Sequence, residues 1–177
     1  MIALLLAVAA APLVTFPGPQ RSVQSPASPA RVFYLDMGMD EGGQNLSLRF
    51  DPGHGPPILL KRFDRSVDIG WSPSGRRFLV NDYIGSNIAD CLIVRPEGAG
   101  VRGLSLIRAI ARSPGRPRET PANAHYYVHC NGWTSDTIVD GVVGGHTDKA
   151  GGGYGFEHRF RYDSATGRIS WHGSQRR

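Results

Sequence analysis

Six histidines and a scatter of acids are the residues with chemistry to offer. Paired carboxylates matter when they share a proton or flank a bond. Two pairs qualify by sequence: Asp82 with Asp90, and Asp136 with Asp140. On a straight strand a spacing of four residues spans about 13 Å, which separates Asp136 from Asp140. Asp82 and Asp90 sit on either side of Gly85-Ser86-Asn87, a turn that brings them across a hairpin. Turn side chains there also have a plainer use, bonding nearby backbone amides.

His125 and His129 are four apart, but Tyr126-Tyr127-Val128 between them reads as a strand. One zinc needs both ligands at about 2 Å, so this spacing disfavours a shared metal. His146-Thr147-Asp148, with His158 across a sheet, is better placed, yet its loop setting is ordinary for polar residues. No metal and no cofactor is expected. Asp82, Asp90, His146 and His158 are therefore weak catalytic candidates. Nucleophile motifs are missing: there is no Gly-x-Ser-x-Gly, and Cys130 follows His129 directly, so the two point to opposite faces of a strand. Gly151-Gly152-Gly153 lacks the Lys-Ser/Thr of a phosphate loop.

A binding surface is easier to build. Tyr83, Trp133 and Tyr154 lie in or near turns, beside Asn, Asp and Arg. Between Glu97 and Glu119 there is no acid, and Arg102, Arg108, Arg112, Arg116 and Arg118 fall in that interval. Arg108 and Arg112 are four apart on a helical pattern. The predicted binding surface is thus Tyr83, Trp133, Tyr154, Arg108 and Arg112, facing an envelope protein or an anionic or saccharide polymer. The net charge is +5, carried almost wholly by arginine. It favours anionic partners, but no Lys/Arg cluster is dense enough to indicate nucleic acid.

These residues need a scaffold. The 177 residues include 23 Gly and 13 Pro, a turn-rich composition. Ile2 to Phe16 is apolar and uncharged, too short to span a bilayer and suited to a secretory signal, with an ambiguous cleavage region at Ala9-Ala10-Ala11. The other reading is an apolar tail or short membrane anchor. Pro17 to Ala30 reads as a flexible linker. A single domain is expected over residues 31–172, with 173–177 as a polar tail. Its class is mostly β: an antiparallel sheet or sandwich with hairpin meanders and one short helix around 103–112. Leu46, Leu48 and Phe50 alternate onto one face, as do Phe156, His158, Phe160 and Tyr162. Leu104, Ile107 and Ile110 recur at helical spacing, and Ser113-Pro114-Gly115 stops that helix. Val67 to Val94 predicts a three-stranded meander. Within it, Pro73 and Gly75 turn the chain so that Trp71 and Phe78 enter a core.

Ile69-Gly70-Trp71-Ser72-Pro73-Ser74-Gly75-Arg76-Arg77-Phe78-Leu79-Val80 resembles the strand–turn–strand unit of β-propeller blades of the TolB and prolyl-oligopeptidase type. Ser74 stands where those blades commonly carry Asp. The resemblance covers about a dozen residues and is not repeated. Blades take about 40 residues and the smallest rings have four, so a twisted sheet or sandwich is expected instead of a closed ring.

Cys91 and Cys130 both lie in strand-like runs. In an oxidising compartment they form one disulfide; the alternative is two separately buried thiols. The leading functional expectation is an exported envelope protein, periplasmic or secreted, with a non-catalytic binding or structural role and no stable transmembrane span after processing. The alternative is a small secreted hydrolase using its acidic and histidine residues.

Overall fold

A computed structural model describes residues 12–41, 43–98, 100–122, 124–147 and 153–176. The apolar run expected to be a leader lies mostly outside them. Its end does not: β1 (Val14–Phe16) pairs antiparallel with β6 (Val67–Trp71), Val14 opposite Ile69. Phe16 is fully buried.

The linker expectation is corrected in the same place. β2 (Ser22–Gln24) pairs with β3 (Arg31–Asp40). Ser25 and Ala30 are buried, and the Trp71 indole N–H donates to the Val23 carbonyl at 3.1 Å. Composition hides this because a three-residue strand needs no periodicity of its own. It needs only a sheet edge whose unpaired backbone groups it can satisfy.

β2, β3, β4 (Gly43–Asp51) and β5 (Ile58–Phe63) form a four-stranded sheet in that order. Leu46, Leu48 and Phe50 are buried on its inner face, as their alternation predicts. The meander from Val67 to Val94 is also present. β6, β7 (Phe78–Asp82) and β8 (Ile88–Glu97) pair antiparallel, with Trp71 opposite Phe78 and Phe78 opposite Val94. Every residue of β6 and β7 is buried. The reason is that these strands are covered on both faces. Val67, Ile69, Trp71, Phe78 and Val80 pack against the four-stranded sheet. Leu79, Cys91 and Ile93 face a second core.

The second core is closed by another meander: β10 (His125–Trp133), β11 (Ile138–His146), β12 (Gly155–Asp163) and β13 (Arg168–Arg176). It joins the middle sheet through a short parallel pairing, Tyr126 opposite Ile88 and Tyr127 opposite Ala89. Phe156, Phe160 and Tyr162 are buried on one face, as their spacing predicts. Of the residues expected to be a polar tail, 173–176 continue β13, with Arg176 opposite Phe156. The class is therefore mostly β, with antiparallel sheets stacked in a sandwich-like arrangement.

The helix is shorter than its pattern. Gly103 and Leu104 belong to β9 (Gly100–Ser105), opposite Val94 and Ile93. β8 runs on through Pro96, which faces Val101 in the same hairpin. Only then does α1 (Leu106–Arg112) begin, with Ser105 as its N-cap accepting from Arg108 N. Leu106 and Ile110 are buried in the second core, whereas Leu104 is exposed. Strand pairing removes the first turn from the helix, a tertiary choice that local spacing cannot reveal.

The turn between β6 and β7 is tight. Gly75 N donates to Ser72 O at 2.8 Å and Ser72 N to Arg77 O at 2.9 Å. Gly75 has φ +66°, and a Cβ there would collide with Ser25 Oγ. The left-handed conformation alone costs a side chain about 1–2 kcal/mol. Gly75→Val is therefore expected to lower stability by about 3 kcal/mol, the collision adding to the backbone term. A urea unfolding midpoint equal to that of the wild type would show that this turn does not depend on glycine.

Candidate binding site

The structure keeps Asp82 and Asp90 side by side and gives His146 and His158 other partners. Asp82 and Asp90 are cross-strand partners on β7 and β8. Each has its own occupation: Asp82 forms an ion pair with Lys61 of β5, and Asp90 Oδ1 accepts from Ile107 N at 3.0 Å, at the start of α1. Burial pushes the Asp90 carboxyl above its ordinary range, against the hydrogen bonds from Ser105, Ile107 and Cys91. His146, at the end of β11, stacks on His125 with ring centroids 4.1 Å apart. His158 lies on β12, with Nε2 3.2 Å from Glu119 Oε2. These contacts place the candidates in three different settings. Asp148, the other residue of the loop considered for a metal, lies outside the described residues. Among the described residues no group of three or more His, Cys, Asp or Glu is placed to hold a metal ion.

The predicted aromatic surface divides as well. Trp133 is not on the surface. It is 2% exposed, and its indole N–H donates to Gly70 O at 2.9 Å, so it ties β10 across β6 inside the second core. The turn residues around it gave the impression of a loop aromatic, but the strand continues to Trp133 through an irregularity between Cys130 and Gly132. Tyr83 is half-buried with its hydroxyl committed. It donates to Asp68 Oδ2 at 2.8 Å, while Thr15 Oγ1 donates to Asp68 Oδ1 at 2.7 Å.

His129 Nδ1 lies 3.3 Å from the same Tyr83 oxygen. Since a tyrosine hydroxyl has one hydrogen and Asp68 takes it, His129 is the donor in that contact, with its proton on Nδ1. Burial, then the hydrogen bond to Asp68 and its charge, push Tyr83 up to about 12, too high to serve as a nucleophile or base near neutrality. This cluster holds β1, β6 and β10 together. It has a pH signature: burial pushes His129 below its ordinary value, with Asp68 partly offsetting. The folded protein therefore resists a proton that the unfolded chain accepts below about pH 6.5, and stability falls as pH drops through that point. Between about pH 7.5 and 5.5 the wild type is expected to lose more stability than His129→Gln, read from urea midpoints. Equal losses would remove His129 from the account.

Tyr154 and His158 do meet, around a residue outside the predicted set. Glu119 is 3% exposed, and it accepts from the Tyr154 hydroxyl at 2.8 Å and contacts His158. Burial raises its carboxyl, but hydrogen bonds from its own backbone, Tyr154 and His158 outweigh that and hold it below the ordinary range. Glu119 is thus an anion with its partners in place. It pins the segment after α1 onto β12.

Grooves border β13, two of them framed also by that segment. The first, of 500 Å³, lies between α1 and the β12–β13 hairpin and is lined by Leu104, Ala109, Arg112, Pro114, Tyr162, Arg168 and Ile169. The second, of 340 Å³, is lined by Arg116, Pro117, Arg118, Glu119, His158, Trp171 and Gly173. Between them the Trp171 indole N–H donates to Pro114 O at 3.1 Å. The third, of 270 Å³, is lined by Ile138, Arg161, Asp163, Thr166, Arg168, Ile169 and Ser170.

Arg112, Arg116, Arg118 and Arg168 are exposed. Among the described residues none of them forms an ion pair with a carboxylate, in contrast to Arg161, which bonds both oxygens of Asp140. Arg108 is exposed one turn before Arg112 and lines none of the three grooves. Arg116 and Arg118 were visible in the sequence as part of the acid-free interval. Trp171 and Arg168 carried no signal beyond ending the last predicted strand.

Fold and grooves together define a disulfide-bonded, layered β protein with an arginine-edged surface beside its final strand. Comparison with protein-family models, curated proteins and solved structures returns no match.

Proposed function

We propose that this is an exported envelope protein that binds an anionic partner along the grooves beside β13 and performs no chemistry on it. The observation that carries this reading is the set Arg112, Arg116, Arg118 and Arg168, exposed and without carboxylate partners among the described residues. A half-buried Trp171 lies between the grooves and supplies flat apolar area next to positive charge. The single acid in the second groove, Glu119, is already matched to Tyr154 and His158 and does not cancel the arginines. The Cys91–Cys130 bond supports an oxidising compartment.

The hydrolase reading has less behind it. It needs a carboxylate and a histidine converging on one substrate, whereas Asp82, Asp90, His146 and His158 each face a different partner.

Polyglutamate and alginate oligomers are suitable probes. Trp71 and Trp133 are buried, so a fluorescence change on binding reports Trp171. Two exposed charges at about 0.5–1 kcal/mol each predict roughly tenfold weaker binding for Arg116→Gln/Arg118→Gln. Arg159→Gln, on an exposed arginine that lines none of the grooves, serves as the control. Equal affinity in the double variant and the control would overturn the site.

A further inference from the structure

We propose that the outer edge of β13 is a docking edge, on which an extended acidic segment of a partner protein adds as one more strand. The inference rests on reading the grooves as an anion site and names what that site takes. β13 ends its sheet, and among the described residues no strand pairs with its outer side. Such an edge presents a row of unpaired N–H and C=O groups. Arg168 to Trp171 forms the regular part, opposite Asp163 to Phe160; the register shifts beyond it, between His158 and Phe160 on the partner strand.

The grooves follow this edge on both faces. Ile169 and Trp171 share one face. Ile169 borders the groove holding Arg112, and Trp171 borders the groove holding Arg116 and Arg118. Arg168 and Ser170 point the other way and line the third groove; Arg168 and Ile169, at the start of the strand, border the first and third grooves alike. An added strand projects alternate side chains to the two faces, with same-face neighbours about 7 Å apart. Successive same-face side chains then reach the first and second grooves, and the residue between them reaches the third. Main-chain bonds hold such a ligand and the alternating pockets select it.

Charge complementarity sets the sequence. Side chains entering the first two grooves meet arginines without carboxylate partners, so they are Glu or Asp. The third groove offers Ile138 and Ile169; its Arg161 is already paired with Asp140, and the charge of its Arg168 is balanced by Asp163 in the same groove, so the intervening side chains are apolar. A polyuronate carries the same charge but has no peptide backbone, and this difference is what an experiment can read.

The probe is acetyl-Glu-Val-Glu-Val-Glu-Val-Glu-amide, with two further versions N-methylated at the Glu or at the Val positions. Each is titrated into the full protein, with Trp171 fluorescence and amide hydrogen exchange of β13 as readouts. The parent peptide is expected to bind and to slow exchange within Arg168–Trp171 at least tenfold. At least one methylated version is expected to bind at least tenfold more weakly. If the parent and both methylated peptides bind alike and exchange in β13 is unchanged, strand addition is overturned while the anion site stands. If alginate oligomers bind and the peptide does not, the partner is a saccharide and the inference is overturned. If no anionic probe binds, the site reading fails with it.

Discussion

Replacing Cys91 and Cys130 with alanine is expected to lower the unfolding free energy by about 4 kcal/mol. The bond closes a loop with a sequence separation of 39. Loop-closure entropy for that length gives about 4 kcal/mol, most of it acting on the unfolded chain. The placement makes this bond more than a general staple. β8 and β10 share only two parallel register positions, Ile88 with Tyr126 and Ala89 with Tyr127. Past them β10 leaves β8, and the disulfide joins the two strands just where the pairing ends, at a Cα separation of 6.0 Å. Both half-cystines are fully buried in the second core. Guanidinium unfolding of the double variant checks this. A loss below about 1 kcal/mol would mean that the sheet junction is held by packing alone.

The second large effect is expected at Asn81. Its side chain is 1% exposed. It treats the Cys130 backbone as a strand neighbour would: Nδ2 donates to Cys130 O at 3.0 Å, and Oδ1 accepts from Cys130 N at 2.8 Å. An amide side chain thus supplies the pair of bonds that β7 and β10 cannot make through their backbones. Asn81→Leu keeps the number and branching of the side-chain heavy atoms and removes both bonds. Two buried backbone groups lose their partners, at about 1–3 kcal/mol each, so a loss of about 3 kcal/mol is expected. Equal stability of wild type and Asn81→Leu, measured by denaturant unfolding, would show that water satisfies Cys130 and that the clamp is not required.

What could be read from the residues follows from how local each signal is. Strand alternation placed Leu46, Leu48 and Phe50 in one core and Phe156, Phe160 and Tyr162 in another, because burial on one face leaves a period of two. The Pro73-Ser74-Gly75 turn was legible for the same reason: its chemistry is carried by adjacent residues. Alternation gives sides, not the number of layers: it sets Leu79 and Asn81 opposite Phe78 and Val80 without showing that a second core covers them. Only a core on each face, one under the four-stranded sheet and one under β10 to β13, explains why β6 and β7 are buried throughout.

β1 and β2 escaped notice since their stability comes from the edges they join. Strand placement alone fits either a disulfide or two buried thiols, and geometry decides for the bond. The site was less legible than the fold. Composition and position point to Arg112 and Tyr154, which do border or adjoin the grooves. Trp133 was chosen by the same reasoning and belongs to the core. Glu119, Trp171 and Arg168 become one surface only when the segment after α1 crosses β12 and β13, a juxtaposition without any footprint in local sequence.

The central claim, that an anionic partner lies along β13, is tested most directly by mapping amide chemical shifts of the isotopically labelled protein as polyglutamate is added. Perturbations are expected to concentrate in Arg112 to Glu119 and Arg168 to Gly173, to weaken as salt shortens the range of charge interactions, and to require roughly tenfold more polyglutamate in Arg116→Gln/Arg118→Gln. Perturbations centred instead on Tyr83, Asp90 or His146, or spread evenly over the exposed arginines, would contradict it.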